Sequence, residues 1–414
     1  MKYYIILQPT IRSIGGEEMY TRNKIIDAHR KGFIPLVLHG GGGDKIFIDD
    51  LKPFDKFAFP EFRFEPCAIS ARRKRNLLMK LHSIFADIDN DSIIESHELL
   101  IAEWGEIIAK EFGCRHFVYI LLEHNTITYE PLYKFFRFKY DRKELAGIIG
   151  NTIKDMFANF DQNIVGYNLE AFCQNTYEQI PCPSKFKLGK ADYTIGSIGR
   201  TDKAYVPSMI SSIRNFIGEH KDKTFNILYI GGSMNKSSEK NVVKGLSSLP
   251  NARLKFTGRI FPISVEMIRQ MDVCISTSGS CNVSNNCGIP TISIDGNDSK
   301  AIGVLGKTTS NTLFRSVDEP PIDIESLLER ILIRKEYKKE NRYVKVNVDF
   351  SSHWDFIKDM SSKKEYYDIS IIQYPLKYKV KSIFLGFWYG LKPNSILNKF
   401  ITKATLLIFK RCKK

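Results

Sequence analysis

Two cations, Arg200 and Lys203, follow a short apolar run in Thr194-Ile195-Gly196-Ser197-Ile198-Gly199-Arg200-Thr201-Asp202-Lys203. A guanidinium forks onto two phosphate oxygens and an ammonium adds a point charge, so this pair can capture an anion. Ser276-Thr277-Ser278-Gly279-Ser280 lies between another apolar run and a short helix beginning near Asn282. Its hydroxyls and helix-start amides suit a diphosphate. Gly231-Gly232 ends a third such run, and Gly15-Gly16 precedes the first helix, where glycine lets backbone approach a ligand closely. Plainer roles stay open. Asp202 is a local ion partner for the cations, Ser278 is a good N-cap, and Gly15-Gly16 serves equally as a tight turn. Glu17 and Glu18 complement the helix dipole but would repel a phosphate.

Candidate proton acceptors lie in the first half. Glu95-Ser96-His97-Glu98 and Glu123-His124-Asn125 each follow an apolar run. His97, His124 or Glu123 is placed to deprotonate an acceptor hydroxyl; a hydrogen-bonded structural residue at a strand end is the competing role. The other histidines show no partner pattern. The eight cysteines form no C-x-x-C pair and lack metal-ligand spacing, which points to buried free thiols in a reducing compartment and to no metal site.

These residues need a scaffold. A chain of 414 residues exceeds one ordinary core, so two domains are expected. Apolar β-branched runs that stop at glycine and alternate with helical segments define an α/β class with parallel sheets. The first half reads as a strand over 2–8, a helix over 17–31 and a strand over 33–39. Strands around 92–94 and 117–122 follow, with a helix over 99–112 between them, and 130–170 reads mainly as helix. Strands near 193–198, 226–230, 253–257, 272–276 and 290–294 build a second sheet. Pro181-Cys182-Pro183-Ser184 interrupts the pattern, so the domains are expected over 1–180 and 181–346, with helices and a basic tail over 347–414. The opening apolar run is too short for a signal peptide and no apolar stretch is long enough to span a bilayer.

Gly15-Gly16-Glu17, Ile198-Gly199-Arg200-Thr201-Asp202-Lys203, Tyr229-Ile230-Gly231-Gly232, Phe256-Thr257-Gly258 and Cys287-Gly288-Ile289-Pro290-Thr291-Ile292, in that order, resemble GT-B glycosyltransferases. The nearest likeness is to family-4-type enzymes of bacterial capsule and surface-polysaccharide synthesis. The resemblance implies two Rossmann-like domains with a cleft between them, the first on the acceptor side and the second binding the donor. It implies hexose transfer, without metal or cofactor, from a nucleotide-sugar donor to a glycan or polyprenyl-linked acceptor. Arg200, Lys203, Gly15, Gly16, Gly232, Ser278, Gly279 and Ser280 become donor contacts. The chain departs from the family where two glutamates seven residues apart are usual: no acid occurs between Asp272 and Asp295, and Asn285 is left to bond a hydroxyl. That gap keeps alive a catalytically weak partner subunit and, less so, a sugar-nucleotide 2-epimerase.

The formal charge of +15 is concentrated at the end of the chain. After Asp368 there is no acid, while ten lysines and arginines follow, interleaved with Ile383, Phe384, Phe400, Leu407 and other apolar residues. This pattern predicts an amphipathic helix on an anionic membrane surface, and hence a cytoplasmic protein held at the inner membrane face. A helix packed on the body is the alternative. Nucleic acid is not expected, because the cations alternate with bulky aliphatics rather than lining a polar groove.

Overall fold

The computed structural model describes residues 1–11, 14–41, 48–54, 57–85, 87–122, 125–361 and 363–390. The chain forms two compact units, Met1–Phe172 with Val348–Lys414, and Cys173–Asn347. The segment after 347 thus belongs with the first unit rather than forming a region of its own.

The first unit opens with β1 (Tyr3–Gln8), α1 (Gly16–Arg30), β2 (Ile34–His39) and β3 (Phe57–Ala58). It continues with α2 (Ala71–Ile84), β4 (Ile93–His97), α3 (Glu98–Phe112) and β5 (Arg115–Ile120). Then come α4 (Glu130–Asp141), β6 (Leu145–Gly147), α5 (Thr152–Phe157) and β7 (Tyr167–Asn168). The strands pair in the order β3-β2-β1-β4-β5-β6-β7, all parallel. Every residue of β1 is buried, as a central strand covered on both faces requires. In α3 the buried Ile101, Trp104 and Ile108 share one face at helical spacing, and Gly113 at φ +68 ends the helix in the left-handed region. The stretch 130–170 holds two short strands that helical periodicity hides, since two or three residues carry no alternation to read.

In the second unit β8 (Tyr177–Glu178) is followed by β9 (Tyr193–Ile198), α6 (Val206–Glu219), β10 (Phe225–Ile230), α7 (Lys236–Ser247) and β11 (Ala252–Phe256). Next come β12 (Ile263–Ser264), α8 (Val265–Ile268), β13 (Val273–Ser276), α9 (Gly279–Asn286), β14 (Thr291–Ile294), β15 (Ala301–Val304) and α10 (Ile324–Leu328). The main sheet runs β11-β10-β9-β13-β14-β15, parallel except for β15 at its edge, and β8 pairs with β12. The pairing of Tyr177 with Ile263 draws the residues ahead of Pro181 into this unit. Two further helices, α11 (Ser351–Asp359) and α12 (Leu376–Gly390), close the first unit.

Both main sheets reverse their strand order once, at β1/β4 and at β9/β13. Open parallel sheets bind ligands outside the carboxyl ends of the strands at such a reversal.

Candidate functional site

In the second unit the reversal brings Arg200 and the 276–280 turn to neighbouring strand ends. β9 runs into Gly199 at φ +152, and β10 runs into Gly231 at φ +127. A Cβ on Gly231 would lie 2.2 Å from the Gly199 carbonyl oxygen, so glycine is required for the strand ends to close up. Arg200 emerges there with its side chain half exposed, its Nε 3.2 Å from Asp202 Oδ1. Lys203 is exposed in the same loop, which is tied to α7 by Thr201 Oγ1 and Ser238 Oγ at 2.8 Å. Gly232 packs against Arg259, whose backbone N would lie 3.2 Å from an added Cβ. Arg259 is therefore a third cation on this rim. Its signal in the sequence was the same glycine–arginine pair that marks Arg200.

The turn after β13 is braced from both sides. Ser276 Oγ donates to the Ile198 carbonyl at 2.7 Å and Thr277 Oγ1 to the Ile294 carbonyl at 2.9 Å. Ser278 takes φ +55 and ψ −144, a conformation that costs a non-glycine residue roughly 1–3 kcal/mol. Its N–H is used by the Thr312 carbonyl, while the Ser278 and Ser280 hydroxyls have no hydrogen-bond partner among the described residues. The first amides of α9 have no helical acceptor and no acid stands in the first turn. The arrangement offers hydroxyls, amides and cations to an anion. Asn285 does not stand open at this rim, because Arg342 Nη2 donates to its carbonyl and to its side-chain Oδ1, at 2.8 and 3.0 Å.

The first unit carries different chemistry at its reversal. Gly15 caps α1 and Gly16 begins it, but the place of a Gly15 Cβ lies 2.6 Å from Glu18 Oε2. The helix start is thus occupied by the chain's own carboxylate, the reverse of a phosphate cradle. Under it His97 is wholly buried, with Nε2 2.9 Å from Glu95 Oε1, and with Nδ1 2.9 Å from the Gln8 amide and 3.4 Å from Glu17 Oε1. Burial pushes His97 down, yet its bonds to Glu17 and Glu95 win and raise it to about 9. Burial pushes Glu95 up, and its bond to His97, the charges of His97 and Lys24 and the Tyr20 hydroxyl overcome that and hold it near 2. The Gln8 atom facing Nδ1 is Nε2, which also donates to Thr21 Oγ1, while Gln8 Oε1 is buried without a hydrogen-bond partner. Lys24 is boxed by the rings of Tyr4, Phe350 and Trp354 at 5.3, 4.8 and 4.2 Å, and burial lowers it to about 8.

A charged, buried His97 has no lone pair to accept a proton and does not reach the surface. Next to it stands Glu98, at φ +70 as the first residue of α3. Its carboxylate accepts from Leu121 N at 2.8 Å and Asn125 Nδ2 at 3.0 Å. Burial and the charge of Glu17 raise it to about 7, against the pull of those two donors and of His97. Glu98 is the described group on this rim whose proton changes hands near neutrality. Its shift depends on Glu17 and Leu121, which no local spacing ties to it. Glu123 and His124 lie outside the described residues. Among those described, no group of three or more histidine, cysteine, aspartate or glutamate side chains is arranged to hold a metal ion.

Two Rossmann-like domains of this kind define an α/β fold of the GT-B type. The chain is similar to a glycosyltransferase from Rickettsia africae, at a TM-score of 0.53 and 13% identity over 100% of this chain and 99% of that one. Anabaena HepE, solved in complex with UDP and glucose, matches at a TM-score of 0.50 and 11% identity over 82% and 92% of the two chains. A UDP-GlcNAc 2-epimerase from Neisseria meningitidis, bound to UDP-GlcNAc, matches more loosely, at a TM-score of 0.46 and 14% identity over 86% and 99%. Identities this low establish the fold and nothing finer. No protein-family model matches the chain, and no curated protein matches it in sequence.

Proposed function

We propose that the protein is a glycosyltransferase that moves a hexose from a nucleotide-sugar to a glycan or lipid-linked acceptor, of the type that builds bacterial surface polysaccharide. The observation that carries this reading is the rim of the second unit, where Arg200 and the strained Ser278 turn stand on adjacent strand ends at the sheet's reversal. Breaking a glycosidic bond to a nucleoside diphosphate leaves negative charge on the β-phosphate. Cations and preorganised amides stabilise it without reorganising as it grows. Arg200, with Lys203 beside it, takes the phosphate oxygens, and the amides of Gly279 and Ser280 with the hydroxyls of Ser278 and Ser280 take the rest.

In the first unit Glu98 receives the proton of the attacking hydroxyl. His97, fixed as a cation beneath the rim, holds Glu95 ionised and so acts as a positioning residue. HepE, solved with UDP and glucose, shares the fold and is compatible with a uridine nucleotide donor.

Titration calorimetry with UDP, GDP and dTDP, followed by turnover of the matching nucleotide-sugars, tests the reading. Arg200→Ala is expected to weaken nucleotide binding by about 1.5–3 kcal/mol, the worth of a charge-assisted contact, or roughly ten- to a hundredfold. Turnover without an acceptor that yields an epimeric sugar would assign a 2-epimerase instead. If no diphosphate binds, or Arg200→Ala binds as well as the parent, the proposal fails.

A further inference from the structure

We propose that α12, together with the basic start of α2, forms a surface of the first unit that lies on an anionic lipid bilayer. One side of α12 is held by the body of its unit. Ser382 is buried and its Oγ accepts from Glu65 N at 3.0 Å, while the Tyr378 ring stacks on Tyr129 at 5.3 Å between centroids. The other side carries Leu376, Val380, Ile383 and Phe384, which are 76, 56, 39 and 43% exposed. Steps of four, three and one residue put these on a single helical stripe. Isolated surface aliphatics need no explanation, but an ordered apolar stripe marks an interaction surface.

The charge around the stripe decides what it meets. α12 packs against the short turns Pro60–Arg63 and Pro66–Ala68, and the second of these leads through Ile69 and Ser70 into α2 with its Lys74. Arg72, Arg73 and Arg75 stand exposed on the same first turns of α2, with Glu61 pairing Arg73 at 3.1 Å. Beyond the helix the sequence adds seven further lysines and arginines and no acid. Apolar side chains ringed by cations on a surface match the headgroup boundary of an anionic membrane, where aliphatics enter the acyl edge and cations meet phosphate. Among the described residues no helix is long and apolar enough to cross a bilayer.

The test is sedimentation of the full-length protein with vesicles of phosphatidylcholine alone and with added phosphatidylglycerol. Binding is expected to the anionic vesicles. It should weaken at least tenfold in Val380→Asp/Phe384→Asp and in Arg72→Glu/Arg75→Glu, with nucleotide binding in the second unit unchanged in both. That last readout separates this proposal from the one on donor binding. Should the apolar pair lower the thermal midpoint, the α2 pair, fully on the surface, carries the decision. Parent-like vesicle binding by the variants would overturn the proposal, since the residues after 390 would then suffice alone. Equal binding to neutral vesicles would overturn it too, as would a dimer that Val380→Asp splits.

Discussion

Replacing Glu98 by glutamine separates the cost of an ionised carboxylate from its use. In the folded protein Glu98 is raised from 4.5 to about 7. The fold therefore holds a proton that the unfolded chain has released, and stability contributed by the protonated form is lost as the pH rises from about 4.5 through 7. At 1.36 kcal/mol per pH unit the gap is worth roughly 3 kcal/mol, and partial exposure brings it toward ~2 kcal/mol. Glutamine keeps an oxygen for Leu121 N but cannot ionise. Glu98→Gln should match the parent near pH 4.5 and exceed it by about 2 kcal/mol at pH 8. Urea unfolding followed by tryptophan fluorescence reads this directly, because Trp104, Trp354 and Trp388 all belong to the first unit. His97, raised to about 9, makes its own loss of stability between pH 6.5 and 9 in both proteins, which the comparison largely cancels. In transfer assays the parent rate should climb to a plateau above about pH 7, and the variant should stay low and flat. A stability difference that does not change with pH would show that Glu98 is not perturbed and would remove the reason for assigning it the proton. A variant as active as the parent would refute the assignment itself.

The second unit supports three other measurements. Gly231→Ala places a Cβ 2.2 Å from the Gly199 carbonyl at φ +127, so about 3 kcal/mol or more is lost, and calorimetry should show the second unit melting roughly 6–12 °C lower; an unchanged midpoint would mean that the strand ends are not in contact. Ser278→Gly relieves the φ +55 conformation, so stability should rise by about 1 kcal/mol while nucleotide affinity falls; a rise in both would leave the hydroxyl without a role. Turnover should be unaffected by EDTA, since cations of the chain take the leaving-group charge in this mechanism, and its abolition would assign that charge to a metal ion.

What the sequence made legible was local. The strands of both sheets show as apolar β-branched runs ended by glycine, and Arg200 stands out because it follows such a run by two residues. The antiparallel β15 was missed, because its connection from β14 runs from Asp295 to Lys300, too long for the Asp295-Gly296 pair to act as a two-residue hairpin turn. The cluster around His97 is assembled from Gln8 and Glu17, 89 and 80 residues away, so no spacing announces it. Its effect is large: the nearby carboxylates outweigh burial and leave the ring a cation, where an isolated strand-end histidine invites the role of base. Asn285 has the same lesson in reverse. Its neutral amide looks open in sequence, and Arg342, 57 residues later, takes it up.

The two units share a strand order, yet a helix start at each reversal has been given opposite electrostatics. α9 begins with Ser278-Gly279-Ser280, no acid in its first turn and an arginine loop on the next strand. Its dipole is left for an external anion. α1 begins after two glycines, but Glu17 and Glu18 occupy its first turn, so its dipole is spent on the chain's own carboxylates. A phosphate arriving there would meet negative charge at about the distance where it needs donors. Glu17 helps to hold His97 charged and helps to push Glu98 toward neutrality. Charge that disfavours an anion at the start of α1 is thus also charge that raises Glu98. Glu17→Gln should therefore bring the apparent pKa of Glu98 down from about 7, because a nearby negative charge that raises it is removed, and the pH–rate profile should move to lower pH with it. A profile that stays in place would mean that burial alone sets Glu98, and that the acidic start of α1 has no part in the chemistry.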